Sequence, residues 1–189
     1  MTRKTFIFGT ALLTAMIVVG SCGNPNKKKS ETAKTSDSQI NTVTDSTVYG
    51  ICGEGTSMNS LELITDGGDT LHYIIEEGID GRQPVQGGLL AGDRMAVVGT
   101  KSDGELVANK VINLTSLQGK WTSLDKNFEI EEGGTIRSFV KAESHPWTSW
   151  KILNGQLLLN TDTFDINELG EDSLYLENKE GIFVYKRQH

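Results

Sequence analysis

Residues 150–160 read Trp150-Lys151-Ile152-Leu153-Asn154-Gly155-Gln156-Leu157-Leu158-Leu159-Asn160, two apolar runs joined by Asn-Gly. Asn and Gly both tolerate positive φ, which a two-residue turn needs if it is to match the twist of the strands it joins. The stretch therefore predicts a tight antiparallel hairpin. The same grammar repeats on either side, with turn-rich connections at 132–134, 160–162, 170–172 and 178–181. It predicts eight short strands: Gly119–Ser123, Phe128–Glu131, Thr135–Val140, Thr148–Leu153, Gln156–Asn160, Thr163–Asn167, Ser173–Glu177 and Ile182–Lys186. Even spacing and brief turns point to an up-and-down antiparallel barrel over residues 117–189.

Upstream, residues 46–116 also show strand periodicity and no convincing amphipathic helix. Apolar runs at Val48–Cys52, Ser60–Thr65, Thr70–Ile75, Met95–Gly99 and Leu106–Leu114 are separated by turns such as Asp66-Gly67-Gly68-Asp69 and Ser102-Asp103-Gly104. Four or five strands in so short a span are economically closed into a small barrel, which removes exposed edges. The long hairpin followed by Gly92-Asp93-Arg94-Met95-Ala96-Val97-Val98-Gly99 resembles an OB-type barrel. The block carries net charge -6 and little beyond Tyr49, Tyr73 and His72 on which bases could stack, so nucleic acid is not its expected partner. The fold class is thus all-β: an OB-like barrel at 46–116 and an eight-stranded barrel at 117–189.

The second block begins Leu117-Gln118-Gly119-Lys120-Trp121, holds Trp147 and Trp150 centrally, and closes on Phe183-Val184-Tyr185-Lys186-Arg187. In these motifs it resembles the small lipocalin-like domains of Bacteroidetes lipoproteins. The resemblance implies a non-enzymatic binding module for a small apolar or amphipathic ligand. Trp121 is expected to plug the barrel base. Trp147, Trp150, Phe139 and His145 either line a mouth or pack the interior. Glu143–Trp147 carries the Pro and polar content of a loop, which favours exposed aromatics, and against it stands the packing of Trp147 and Trp150 in the barrel interior. Strands of about 5–6 residues leave room for one small ligand at most.

The first residues have the layout of an export signal. Arg3 and Lys4 precede an apolar stretch from Phe6 to Val19, shorter than the ~20 residues of a spanning helix. Val19-Gly20-Ser21-Cys22 resembles a bacterial lipobox, which implies a signal peptide at 1–21 and lipidation of Cys22. Residues 22–45 are polar and read as a flexible tether. The expected partner at this end is a membrane, reached through the acyl chains. The tether lacks the acidic cluster that often follows the Cys in surface-exported Bacteroidetes lipoproteins. The resemblance therefore implies an outer-membrane lipoprotein facing the periplasm. The paired barrels on an anchor are also similar to NlpE-type envelope lipoproteins in reversed order. The Cys-x-x-Cys of that group is absent, so its metal sensing does not carry over.

Charge excludes a basic nucleic-acid binder: the chain is -7 overall and -9 without residues 1–21. Two cysteines exclude a disulfide scaffold. Cys52 reads as a buried strand cysteine. No phosphate loop, dinucleotide fingerprint, nucleophile elbow or zinc-protease helix is present. His72, His145 and His189 lack ligand spacing, so no catalytic residue, cofactor or metal is expected. Asp45-Ser46-Thr47, Asp69-Thr70-Leu71 and Asp172-Ser173-Leu174 resemble an O-glycosylation motif of Bacteroidetes envelope proteins, which implicates Ser46, Thr70 and Ser173. The alternative to ligand binding is a scaffolding or stress-signalling protein that acts through protein contacts.

Overall fold

The computed structural model describes residues 44–77, 83–141 and 144–189. The expected signal peptide, Cys22 and all but the last two residues of the expected tether lie outside them. The described chain is nearly all β. Its first five long strands are β1 (Val48–Cys52), β2 (Ser60–Thr65), β3 (Thr70–Ile75), β5 (Arg94–Ser102) and β6 (Glu105–Asn113), with a two-residue β4 (Val85–Gln86) between the third and fourth. β1, β2 and β3 form an antiparallel meander, β5 and β6 a long hairpin, and β1 pairs antiparallel with β5. A parallel pairing of β3 with β6 closes the ring, Tyr73 opposite Leu106. This closed five-stranded barrel is the small barrel expected of the OB-like block. Alternate residues Leu61, Leu63, Met95, Val97 and Val111 point inward and are fully buried, as the period of two demands. Cys52 is buried with them, its thiol 3.4 Å from Thr56 Oγ1.

One turn of helix, α1 (Leu114–Leu117), then leads into the second sheet. The turn is N-capped by Asn113, whose Oδ1 accepts from Ser116 N–H at 2.9 Å. Sequence reading expected no helix here and ran the preceding strand to Leu114. Four residues are too few to display a helical period, and only the cap marks them.

The second barrel runs β7 (Gly119–Thr122), β8 (Asn127–Ile130), β9 (Ile136–Ser138), β10 (Trp150–Leu153), β11 (Gln156–Leu159), β12 (Asp162–Leu169), β13 (Ser173–Asn178) and β14 (Gly181–Gln188). The sheet order is β10-β11-β12-β13-β14-β7-β8-β9. β9 and β10 meet only through a bridge at Thr135 and Ser149 and flanking bonds, so the barrel is nearly closed. The Asn154-Gly155 hairpin forms as read, with φ of 50° and 76°. β12 and β14 exceed their expected lengths, β12 by carrying a bulge between Ile166 and Glu168.

The barrels share a core. Ala96, Ile112 and Leu114 from the first block, and Leu117 at the join, are buried in the cluster that holds Trp121, Phe128, Leu157, Phe164, Leu174 and Tyr185. Polar bonds cross at the same place. Gly87 N–H donates to Leu169 O at 2.9 Å, the Gln86 side chain accepts from Leu169 N–H at 3.0 Å, and Tyr49 Oη donates to Ile152 O at 2.7 Å. Thr44 and Asp45, read as the end of the tether, both bond to Asn154.

Candidate functional site

Successive turns of an antiparallel barrel fall at alternate ends. At one end α1 and the first barrel close the second. Trp121 is fully buried there, its Nε1–H donating to Leu117 O at 2.9 Å. The Arg187 guanidinium lies 4.2 Å above the Trp121 ring and donates to the carbonyls of Ser116, Gln118 and Glu171. Trp121 is the plug its position in the sequence implied, buried at this end among Leu114, Leu117 and Ile112.

At the other end the turns 122–127, 159–162 and 178–181 and the segment 144–149 surround a half-open cavity of about 850 Å3. β14 is paired with β13 over Gly181–Lys186 but with β7 only over Lys186–Gln188, because β7 stops at Thr122. The cavity therefore spreads through the slot between β14 and the 122–126 turn. That is why inward Phe183 and Tyr185 and outward Ile182 and Val184 line one space. Its floor is formed by Trp147, Phe164, Phe183 and Tyr185, with Trp147 edge-to-face on Phe164 at 5.8 Å and Phe164 on Phe183 at 5.9 Å, and with buried Phe128 behind them 5.2 Å from Tyr185 and 5.3 Å from Trp147. Such contacts fix ring positions beyond simple burial. Polar groups sit around the rim: Asp125, Asp162 and Glu180, and the amines of Lys126 and Lys186.

Trp147 is held from three sides. Its Nε1–H donates to Asp162 Oδ2 at 3.2 Å, and Lys126 Nζ sits 4.4 Å from the ring centroid. Its backbone neighbours are clamped by Asn160, whose Oδ1 accepts from Thr148 N–H at 2.9 Å and Ser149 N–H at 3.1 Å while its Nδ2 donates to Pro146 O. Asn160 does this from φ of 55°, the left-handed region that Asn tolerates better than most residues.

Residues 113–188 match a lipocalin-like family model. No curated protein and no solved structure matches the chain at a significant level. The lipocalin-like region thus takes in α1, the plug and the whole eight-stranded barrel.

Of the four aromatic residues singled out in the sequence, the lipocalin-like barrel brings Trp147 and His145 to the cavity. His145 is exposed, with Ser144 Oγ 3.0 Å from its Nδ1. Of the two alternatives for Trp147, exposed aromatic or packed interior, the structure takes the second: the clamp and its ring partners leave it 8% exposed, with its edge still on the cavity. Trp150 lies outside the lining, half-buried at the seam of β9 and β10, with Nε1–H donating to Glu131 O at 2.8 Å. Phe139 also lies outside it, exposed just past β9 with Lys120 Nζ 5.8 Å from its ring. Phe164, Phe183 and Tyr185 went unread as site residues, although their strand parity placed them inward. Of the hydroxyls implied for glycosylation, Thr70 is exposed, Ser46 Oγ donates to Asn154 Oδ1 at 2.8 Å, and Ser173 Oγ donates to Glu168 Oε1 at 3.1 Å. Among the described residues no cluster of His, Cys, Asp or Glu could hold a metal ion, and no helix is long and apolar enough to cross a membrane.

Proposed function

We propose that this protein is a lipid-anchored envelope protein whose lipocalin-like barrel binds one small apolar or amphipathic ligand without transforming it. The observation that carries the reading is the aromatic-floored cavity at the barrel end away from the Trp121 plug. A space of this size, apolar at its floor and polar at its rim, suits a molecule with one apolar and one polar part. Titration with a neutral environment-sensitive naphthylamine dye tests it. Dye emission should rise to saturation at one site per chain, and decanol should displace the dye. Ile182→Asp places a charge on the apolar wall at an exposed position and should weaken the dye about tenfold, the scale of one lost apolar contact. Absence of saturable binding at any dye concentration overturns the reading.

The anchoring part rests on Val19-Gly20-Ser21-Cys22 behind a short apolar stretch. A periplasm-facing outer-membrane location follows from that lipobox and from the missing acidic cluster. Wild type should partition into the detergent phase, and Cys22→Ala into the aqueous phase. A second reading, contact with another envelope protein, is favoured by Leu124, whose side chain stands fully exposed at the rim. A photo-crosslinker at position 124 in intact envelopes should then capture a discrete protein, which the ligand-only reading does not predict.

A further inference from the structure

The chemistry around Trp147 narrows the ligand class, and the narrowing rests on the small-ligand reading above. An indole face attracts cations through the ring quadrupole. Here the attraction is strengthened, because the indole N–H donates to the Asp162 carboxylate and so pushes electron density into the ring. The Lys126 ammonium already lies over that face, 4.4 Å from the centroid. A half-buried lysine at the cavity wall thus occupies the place where a ligand's positive head would rest against an aromatic ring. The rim adds carboxylates at Asp125, Asp162 and Glu180 against the amines of Lys126 and Lys186. Three carboxylates against two amines give an incoming cation the larger number of opposite charges. Phe164, Phe183 and Tyr185 offer further ring surface beside Trp147 for the apolar part.

We infer that the cavity selects amphipathic cations, a quaternary or primary ammonium on a short apolar body. Lys126 acts as an internal stand-in that the ligand's head displaces from Trp147. The full chain is titrated with three probes of equal length, decyltrimethylammonium, decanol and decanoate, below their aggregation concentrations. Binding is followed by calorimetry and by the Trp147 indole N–H resonance. Decyltrimethylammonium should bind about tenfold more tightly than decanoate, and the preference should shrink as salt is raised. Lys126→Ala should strengthen the cation about tenfold and leave decanol within twofold, because only the cation competes for the ring face. Asp162→Asn, at an exposed turn, should weaken the cation alone. Decanoate binding as tightly as the cation, or a cation affinity indifferent to Lys126→Ala, overturns the inference while decanol binding still upholds the parent reading. If none of the three probes binds, both fall.

Discussion

Single residues do several jobs at once in this protein. Arg187 covers the plug Trp121 and gathers three carbonyls from α1, the start of β7 and the 170–172 turn. Arg187→Leu keeps an apolar cover but removes the donors, so partly buried carbonyls lose their partners. The expected loss is about 2 kcal/mol, read as a lower urea midpoint at unchanged slope. Asn160→Ala frees the segment that carries Trp147. It should cost about 1–2 kcal/mol and shift the Trp147 indole resonance while that of Trp121 stays in place. Charge at the surface matters less. The hydrogen bond from Arg94 holds Asp66 below its usual 3.8. A lowered folded-state value gives stability that is complete above the unfolded pKa and is lost as pH falls through the folded one. Both groups are more than a third exposed, so the pair contributes well under ~1 kcal/mol. Asp66→Asn should remove this small contribution at pH 7, converge with wild type at low pH, and so slightly flatten the fall in stability below about pH 4.

Among the elements, the segment after β4 shows how tightly the two barrels are joined. Gly87 sits at φ of 85°, and a Cβ there would lie 2.9 Å from side-chain atoms of Asn113, Ser116 and Leu169. Gly87→Ala should therefore cost about 2–3 kcal/mol, combining backbone strain with a clash that has no outlet. A thermal melt checks it. Most strands were legible because their period of two and their Asn-Gly or Gly-Gly turns agree. β1, β2 and β3 have the ends the sequence predicts. The longer strands were read short, since Thr100-Lys101-Ser102 of β5 is polar and still pairs with Glu105–Val107. The aromatic floor was half legible. Parity turns Phe164, Phe183 and Tyr185 inward, but the slot exists because β14 outruns β7, a matter of sheet register that one strand's sequence does not carry. Trp147 stayed open between mouth and interior because Ser144, His145 and Pro146 give its segment the look of a free loop, while the clamp that buries it lies further along the chain at Asn160.

For the whole molecule, 37% apolar residues is lean for two separate cores. The shared cluster resolves this, since Leu114 and Leu117 of the joint are buried against the second barrel's interior. The two barrels should unfold together. Trp emission, which reports the second barrel, and far-ultraviolet dichroism, which reports both, should give one superimposable transition. A fragment of residues 119–189 should lack a cooperative transition, having lost Ala96, Ile112, Leu114 and Leu117 from its base.

The one-turn helix has a consequence for how such a chain is inherited or engineered. Asn113 ends one barrel and caps α1, Leu117 accepts the indole proton of the other barrel's plug, and no spare residue lies between them. A crossover or fusion made within 113–119 would hand each recipient half of a joint. The transferable unit is the pair, and a graft of the open cavity into another scaffold must bring the first barrel along to close the opposite end.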